Sequence, residues 1–188
     1  MCLTASLLAF VLAFVVYGYL VYFLQSSHHE LDNNFTKHCN QSGVSHCGSC
    51  GDCSNSDDLR VYQKMNMTLT SAARKCAIVD VFDAFDVFDV FDGAVKCFDD
   101  TINFTEKCRD AWFENIDCDK KHCMFVCLWE NYFVPDWDFL HGDSRLTRCL
   151  ACDERHCLDI FLKSAGMTRR RAGIKTDIKR DDSEICKK

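Results

Sequence analysis

The stretch Asp119-Lys120-Lys121-His122-Cys123-Met124-Phe125-Val126-Cys127-Leu128-Trp129 decides how the chain is read. It reads as a helix that Pro135 stops, and Cys123 and Cys127 lie one turn apart on the same helical face. Sulfur on an inward helical face predicts a helix stapled to a neighbour. The fold is therefore sought among small proteins that cross-link packed helices.

Outward from this segment the same signals recur. Thr70-Ser71-Ala72-Ala73-Arg74-Lys75-Cys76-Ala77 opens on a capping residue followed by good helix formers. Thr105 to Phe113 opens the same way, with Glu106 in its first turn. Asp153 to Ala165 reads as a further helix, ended by Gly166. One proline and eight glycines in 188 residues do not suit a turn-rich β-sandwich. The expected fold is mostly α: an N-terminal transmembrane helix and a small disulfide-rich helical ectodomain.

The cysteines set the compartment. Of fifteen, fourteen lie beyond the uncharged apolar run Leu3–Leu24: Cys39, Cys47, Cys50, Cys53, Cys76, Cys97, Cys108, Cys118, Cys123, Cys127, Cys149, Cys152, Cys157 and Cys186. An even number this dense predicts a disulfide framework, with a connectivity that spacing alone leaves open. Four N-x-S/T sequons, at Asn34, Asn40, Asn66 and Asn103, share that stretch. They point to N-glycans and to an oxidising lumen, where thiols pair.

Leu3–Leu24 would make a helix of about 33 Å, matching a bilayer core of about 30 Å. Tyr17, Tyr19, Tyr22 and Phe23 gather at its far end as an interfacial belt, and Leu24 spoils a signal-peptidase site after Ser26. The expectation is a signal-anchor at residues 1–24, a polar juxtamembrane stalk at 25–46 and a cysteine-rich ectodomain at 47–188. Cys2 would then lie at the cytoplasmic face, palmitoylated or as a plain thiol. His28 and His29 read as a solvated pair within the stalk.

Several segments carry residue types that could serve chemistry. His46-Cys47-Gly48-Ser49-Cys50-Gly51-Asp52-Cys53 needs tight turns and reads as a loop knot. It lacks the fourth cysteine and proline of a ferredoxin run, and Gly51 stands where papain-like proteases need an aromatic. Cys47/Cys50, Cys50/Cys53 or Cys149/Cys152 would serve a thiol–disulfide oxidoreductase. Cys149, Cys152, His156 and Cys157, with Cys47 and Cys50, would serve a zinc-binding domain. Cys108-x9-Cys118 resembles the helical-hairpin spacing of CX9C proteins, without a second matching pair.

Val81 to Asp92 repeats a Val/Ala-Phe-Asp triplet four times. Its period of three fits neither helix nor strand, so it reads as an expansion lengthening one helix. The tail carries Arg169-Arg170-Arg171 and Lys179-Arg180, which suit a solvated face, docking on the acidic stretch at 80–100, an anionic-lipid patch or proteolytic trimming. Cys186 is expected to tie that tail back. A net charge of −6 argues against nucleic acid. No acid–base or nucleophile constellation stands out, so neither catalysis nor a cofactor or resident metal is expected. The expected partners are the membrane, N-glycans, and a protein partner or second copy at a surface.

Overall fold

The computed structural model describes residues 39, 44–83, 91–133 and 146–187. All belong to one compact unit, Asp32–Lys188. They carry seven helices: α1 (Ser56–Lys64), α2 (Leu69–Asp83), α3 (Phe91–Thr101), α4 (Glu106–His122), α5 (Met124–Phe133), α6 (Arg148–His156) and α7 (Leu158–Ala165), with a 3-10 turn at Asp182–Glu184. The β pairing among the described residues is an isolated antiparallel bridge between Cys39 and Val44. The helical expectation holds for this region.

Local chemistry explains the helix ends. Asn55 caps α1, its Oδ1 accepting from the N–H groups of Asp57 (3.0 Å) and Asp58 (2.9 Å). Thr147 caps α6 through Leu150 N–H at 3.2 Å. Gly166 ends α7 at φ 68°, as its sequence position suggested. Two expected caps behave otherwise. Thr70 lies inside α2, where its hydroxyl accepts from Arg169 (2.6 Å) and donates to Asp177 (3.2 Å). Thr105 stands at the start of α4, yet its hydroxyl and N–H both donate to the buried Asp58, at 2.6 and 2.8 Å. Asp58 thereby pins α1 to α4.

Two expected helices are each broken in two. Asp119–Trp129 is divided at Cys123 (φ −120°, ψ −7°), and Asp153–Ala165 at Cys157 (φ −120°, ψ −21°). The reason is rotational. Cys118 and Cys123 are five residues apart, as are Cys152 and Cys157. On an unbroken helix such residues lie about 140° apart around the axis, so they cannot face one neighbour. A break at the second cysteine of each pair brings both sulfurs to the same side. Local propensity is continuous here, and the cross-links override it.

The triplet repeat, expected to lengthen one helix, is described only at its two ends. Residues 84–90 lie outside the described residues, and α2 and α3 flank them as two helices. Cys76 and Cys97 are bonded with Cα atoms 5.5 Å apart. One continuous helix would separate them by about 30 Å.

The core gathers Tyr62, Leu69, Phe98, Ile102, Phe104, Ala111, Ile116, Phe161, Ala165 and Met167. Aromatic rings knit it together: Tyr62 meets Phe104 edge-on at 5.2 Å, and Trp112 stacks on Phe104 (5.8 Å) and meets Phe161 edge-on (5.1 Å). Tyr62 is fully buried, donates to Met167 C=O at 3.1 Å and accepts from Trp112 Nε1 at 3.3 Å. Burial pushes its phenol well above the usual value.

Of the expected stalk, residues 39 and 44–46 are described: Cys39, Val44 and His46 are 1%, 5% and 3% exposed, and Ser45 is half-buried. Cys39 is bonded to Cys50, and the His46 ring meets Ser54 Oγ at 2.8 Å. These links hold residues 39 and 44–46 against the domain. The apolar run 3–24, His28, His29, and the sequons at Asn34 and Asn40 lie outside the described residues. Among the described residues, no helix is long and apolar enough to cross a membrane.

Candidate functional site

All fourteen downstream cysteines are paired, in seven bridges. Four of them organise the N-terminal half and the tail: Cys39–Cys50, Cys47–Cys186, Cys53–Cys108 and Cys76–Cys97. The other three form a ladder between α4/α5 and α6/α7: Cys118–Cys157, Cys123–Cys152 and Cys127–Cys149. Every C-x-x-C is split between different bridges. Cys47, Cys50 and Cys53 go to Cys186, Cys39 and Cys108, while Cys149 and Cys152 go to Cys127 and Cys123. The pairs needed by an oxidoreductase are thus not closed on themselves, and the thiolates needed by the proposed zinc set are consumed. Cys186 does anchor the tail, as its position suggested.

The ladder has an internal two-fold logic that the sequence reading missed. Cys118-Asp119-Lys120-Lys121-His122-Cys123 and Cys152-Asp153-Glu154-Arg155-His156-Cys157 are two copies of C-D-x-x-H-C. The first cysteine of each copy bonds the second cysteine of the other, with Cα–Cα 5.7 Å in both bridges. Backbone geometry matches as well: Cys123 N–H donates to Asp119 C=O and Cys157 N–H to Asp153 C=O, each at 2.7 Å. Cys118 Sγ lies 3.5 Å from the His156 carbonyl oxygen, and Cys152 Sγ 3.6 Å from that of His122.

Equivalent side chains consequently meet in pairs. On the inner side Asp119 and Asp153 face each other, and Asn115 Nδ2 donates to Asp153 Oδ1 at 2.9 Å. Burial, and then the charge of Asp153, pushes Asp119 up to about 8, so it is mostly protonated at neutral pH. Burial raises Asp153 too. Asp119 Oδ1 and Asn115 Oδ1 are buried without hydrogen-bond partners. A carboxylate oxygen of Asp119 and the sulfurs of Cys123 and Cys157 lie within 4.8 Å of one another. Both sulfurs are in disulfides, so this trio lacks the thiolates that would ligate a metal.

On the outer side the His122 and His156 rings stack, with centroids 5.3 Å apart and planes 12° from parallel. Both residues are exposed. Partial burial, then His122 and Arg155, holds the His156 ring below its usual proton affinity.

A cavity of about 250 Å³ opens beside the carboxyl pair. Ile78, Trp112, Ile116, Leu128, Leu150 and Phe161 give it an apolar wall, and Arg169, Arg170 and Arg180 stand at its polar side. The arginines are committed. Arg169 donates to Asn66 C=O (2.7 Å) and Asp177 (3.1 Å), Arg170 to Glu184 (3.1 Å), and Arg180 to Glu184 (3.0 Å) and Glu154. Arg171 donates to Gly166 C=O at 3.2 Å. Among the described residues the tail is docked through Asn66, Gly166, Asp177, Glu184 and Glu154, and the acidic residues 84–90 lie outside the described residues. Arg169 is buried, which removes it from both a lipid-facing patch and ready cleavage.

The two described sequon asparagines occupy turns. Asn66 lies between α1 and α2, and Asn103, exposed at φ 64°, lies between α3 and α4.

Residues 91–188 match the model of a family of unknown function, DUF8771. The chain belongs to this family. The matched region contains both C-D-x-x-H-C copies, the ladder and the docked tail. Three of its bridges reach upstream of it, to Cys47, Cys53 and Cys76. No curated protein and no solved structure matches the chain.

Proposed function

We propose that this chain is a single-pass, membrane-anchored glycoprotein whose disulfide-locked helical domain binds a partner, or a second copy, at a surface without catalysing a reaction. The observation that carries this reading is the complete pairing of the fourteen cysteines beyond the apolar run. Such pairing is characteristic of domains that mature in an oxidising lumen. The length and aromatic border of Leu3–Leu24 support anchoring, and the turn positions of Asn66 and Asn103 suit glycan attachment. Phe125 and Trp129, 68% and 47% exposed and one turn apart on α5, offer the kind of aromatic surface that partners use.

Expression of the full chain in secretory cells tests the reading. The expected outcome is a membrane-bound product that shifts in mass with an N-glycosidase. It should also resist thiol alkylation until reduced and carry its domain on the lumenal side in protease protection. A soluble product, or one with freely alkylated thiols, overturns it.

A further inference from the structure

We propose that His122 and His156 form a two-imidazole site for a divalent transition-metal ion of the zinc or copper(II) class, on the outer face of the disulfide ladder. Imidazole is a preferred ligand for these ions, whereas magnesium and calcium favour oxygen. The two rings come from separate helices and already stand nearly parallel, 5.3 Å apart. Zinc–nitrogen bonds of about 2.0–2.1 Å at a tetrahedral angle place two nitrogens roughly 3.4 Å apart. In the stacked orientation the in-plane lone pairs run parallel, so binding requires both exposed rings to turn until their nitrogen edges converge on one ion. Both side chains are exposed, so water or a further donor can complete the coordination shell.

What separates this pair from a chance surface contact is its support. His122 immediately precedes Cys123 and His156 immediately precedes Cys157, and those cysteines are bonded to Cys152 and Cys118. The backbone beneath each ring is therefore fixed covalently, and binding does not have to order it. The two histidines are also equivalent positions of the two C-D-x-x-H-C copies, so the fold presents the same donor from both sides. Lys121 and Arg155 occupy the preceding positions, and their charge limits affinity for a cation. Moderate affinity, suited to capture and release, is expected. The alternative zinc set read from the sequence included His156; the site proposed here pairs it with His122 in place of the cysteines.

The test uses the full chain in detergent with its bridges intact, freed of metal by chelator and titrated calorimetrically with Zn²⁺, then Cu²⁺, with Mg²⁺ as control. The substitutions His122→Ala and His156→Ala are read beside it, after metal-free melting confirms that each variant folds. The expected result is one Zn²⁺ per chain and a metal-dependent rise in the unfolding midpoint. Either substitution should weaken binding roughly tenfold or more, because the second bond is then no longer intramolecular, and should abolish the rise. Zinc binding that survives both substitutions places the metal elsewhere, for instance on His28 and His29, and overturns the proposal. So does wild-type binding no tighter than that of either variant.

Discussion

Two parts of this molecule use the same bond for different ends. The knot around residues 44–55 forms no helix or sheet of its own, and Cys47 and Cys53 bond partners 139 and 55 residues away. Local bonds such as Gly51 N–H to Ser54 Oγ (3.0 Å) and backbone contacts with distant segments add to this support. Cys47 N–H donates to Arg171 C=O (2.9 Å), Asp52 N–H to Ser164 C=O (2.8 Å) and Cys53 N–H to Ala165 C=O (3.0 Å). In the ladder, four helices satisfy their own backbone, and the bridges span only 39, 29 and 22 residues. Bridges stand in for secondary structure in the knot; in the ladder they set the rotation and register of helices that already exist.

Substitutions ranked by effect break or sharpen that contrast. Removing Cys53–Cys108 by paired alanine substitution is expected to cost about 4 kcal/mol, because it frees a long loop and opens the core. Loss of cooperative unfolding in denaturant would register it. Gly51→Ala should follow, at about 3 kcal/mol. A Cβ there would fall 2.4 Å from Ser164 O, part of a backbone that cannot give way. Removing Cys127–Cys149, whose neighbouring rung remains, should cost only about 2–3 kcal/mol and leave the helical circular dichroism unchanged. Equal losses at the knot and ladder bridges would erase the distinction drawn here.

A separate measurement tests the ladder's inner face through pH. Asp119 titrates near 8 when folded and near 3.9 when unfolded, so across that interval the folded state holds more protons. Stability therefore falls as pH rises from about 4 towards 8. Asp119→Asn should flatten this slope, and denaturant midpoints at pH 5 and pH 8 read it directly. A slope unchanged by the substitution would show that Asp119 does not carry the proton.

Much of this was legible in the sequence. Helical content, the pairing of cysteines, the Gly166 stop and the return of Cys186 all follow from local chemistry and sulfur count. The partners of each cysteine did not follow, since they depend on which faces meet. The breaks at Cys123 and Cys157 were hidden because helix propensity runs through both positions, and only the demand that Cys118 and Cys123 face one neighbour interrupts it. Nothing local marked Asp58 as a buried acid, since its partner Thr105 is 47 positions away. One signal was available and unused. The two copies of C-D-x-x-H-C, offset by 34 residues, would have suggested both the reciprocal bridges and the Asp119/Asp153 and His122/His156 pairs.

The Cys47–Cys186 bridge joins the knot to the chain's last turn. It closes nearly the whole domain into a covalent ring. A protease that severs one peptide bond anywhere between those two residues opens the ring without releasing a fragment. The pieces part only when a reductant is added. Until reduction, a nicked copy of this domain keeps its mass and the greater part of its shape.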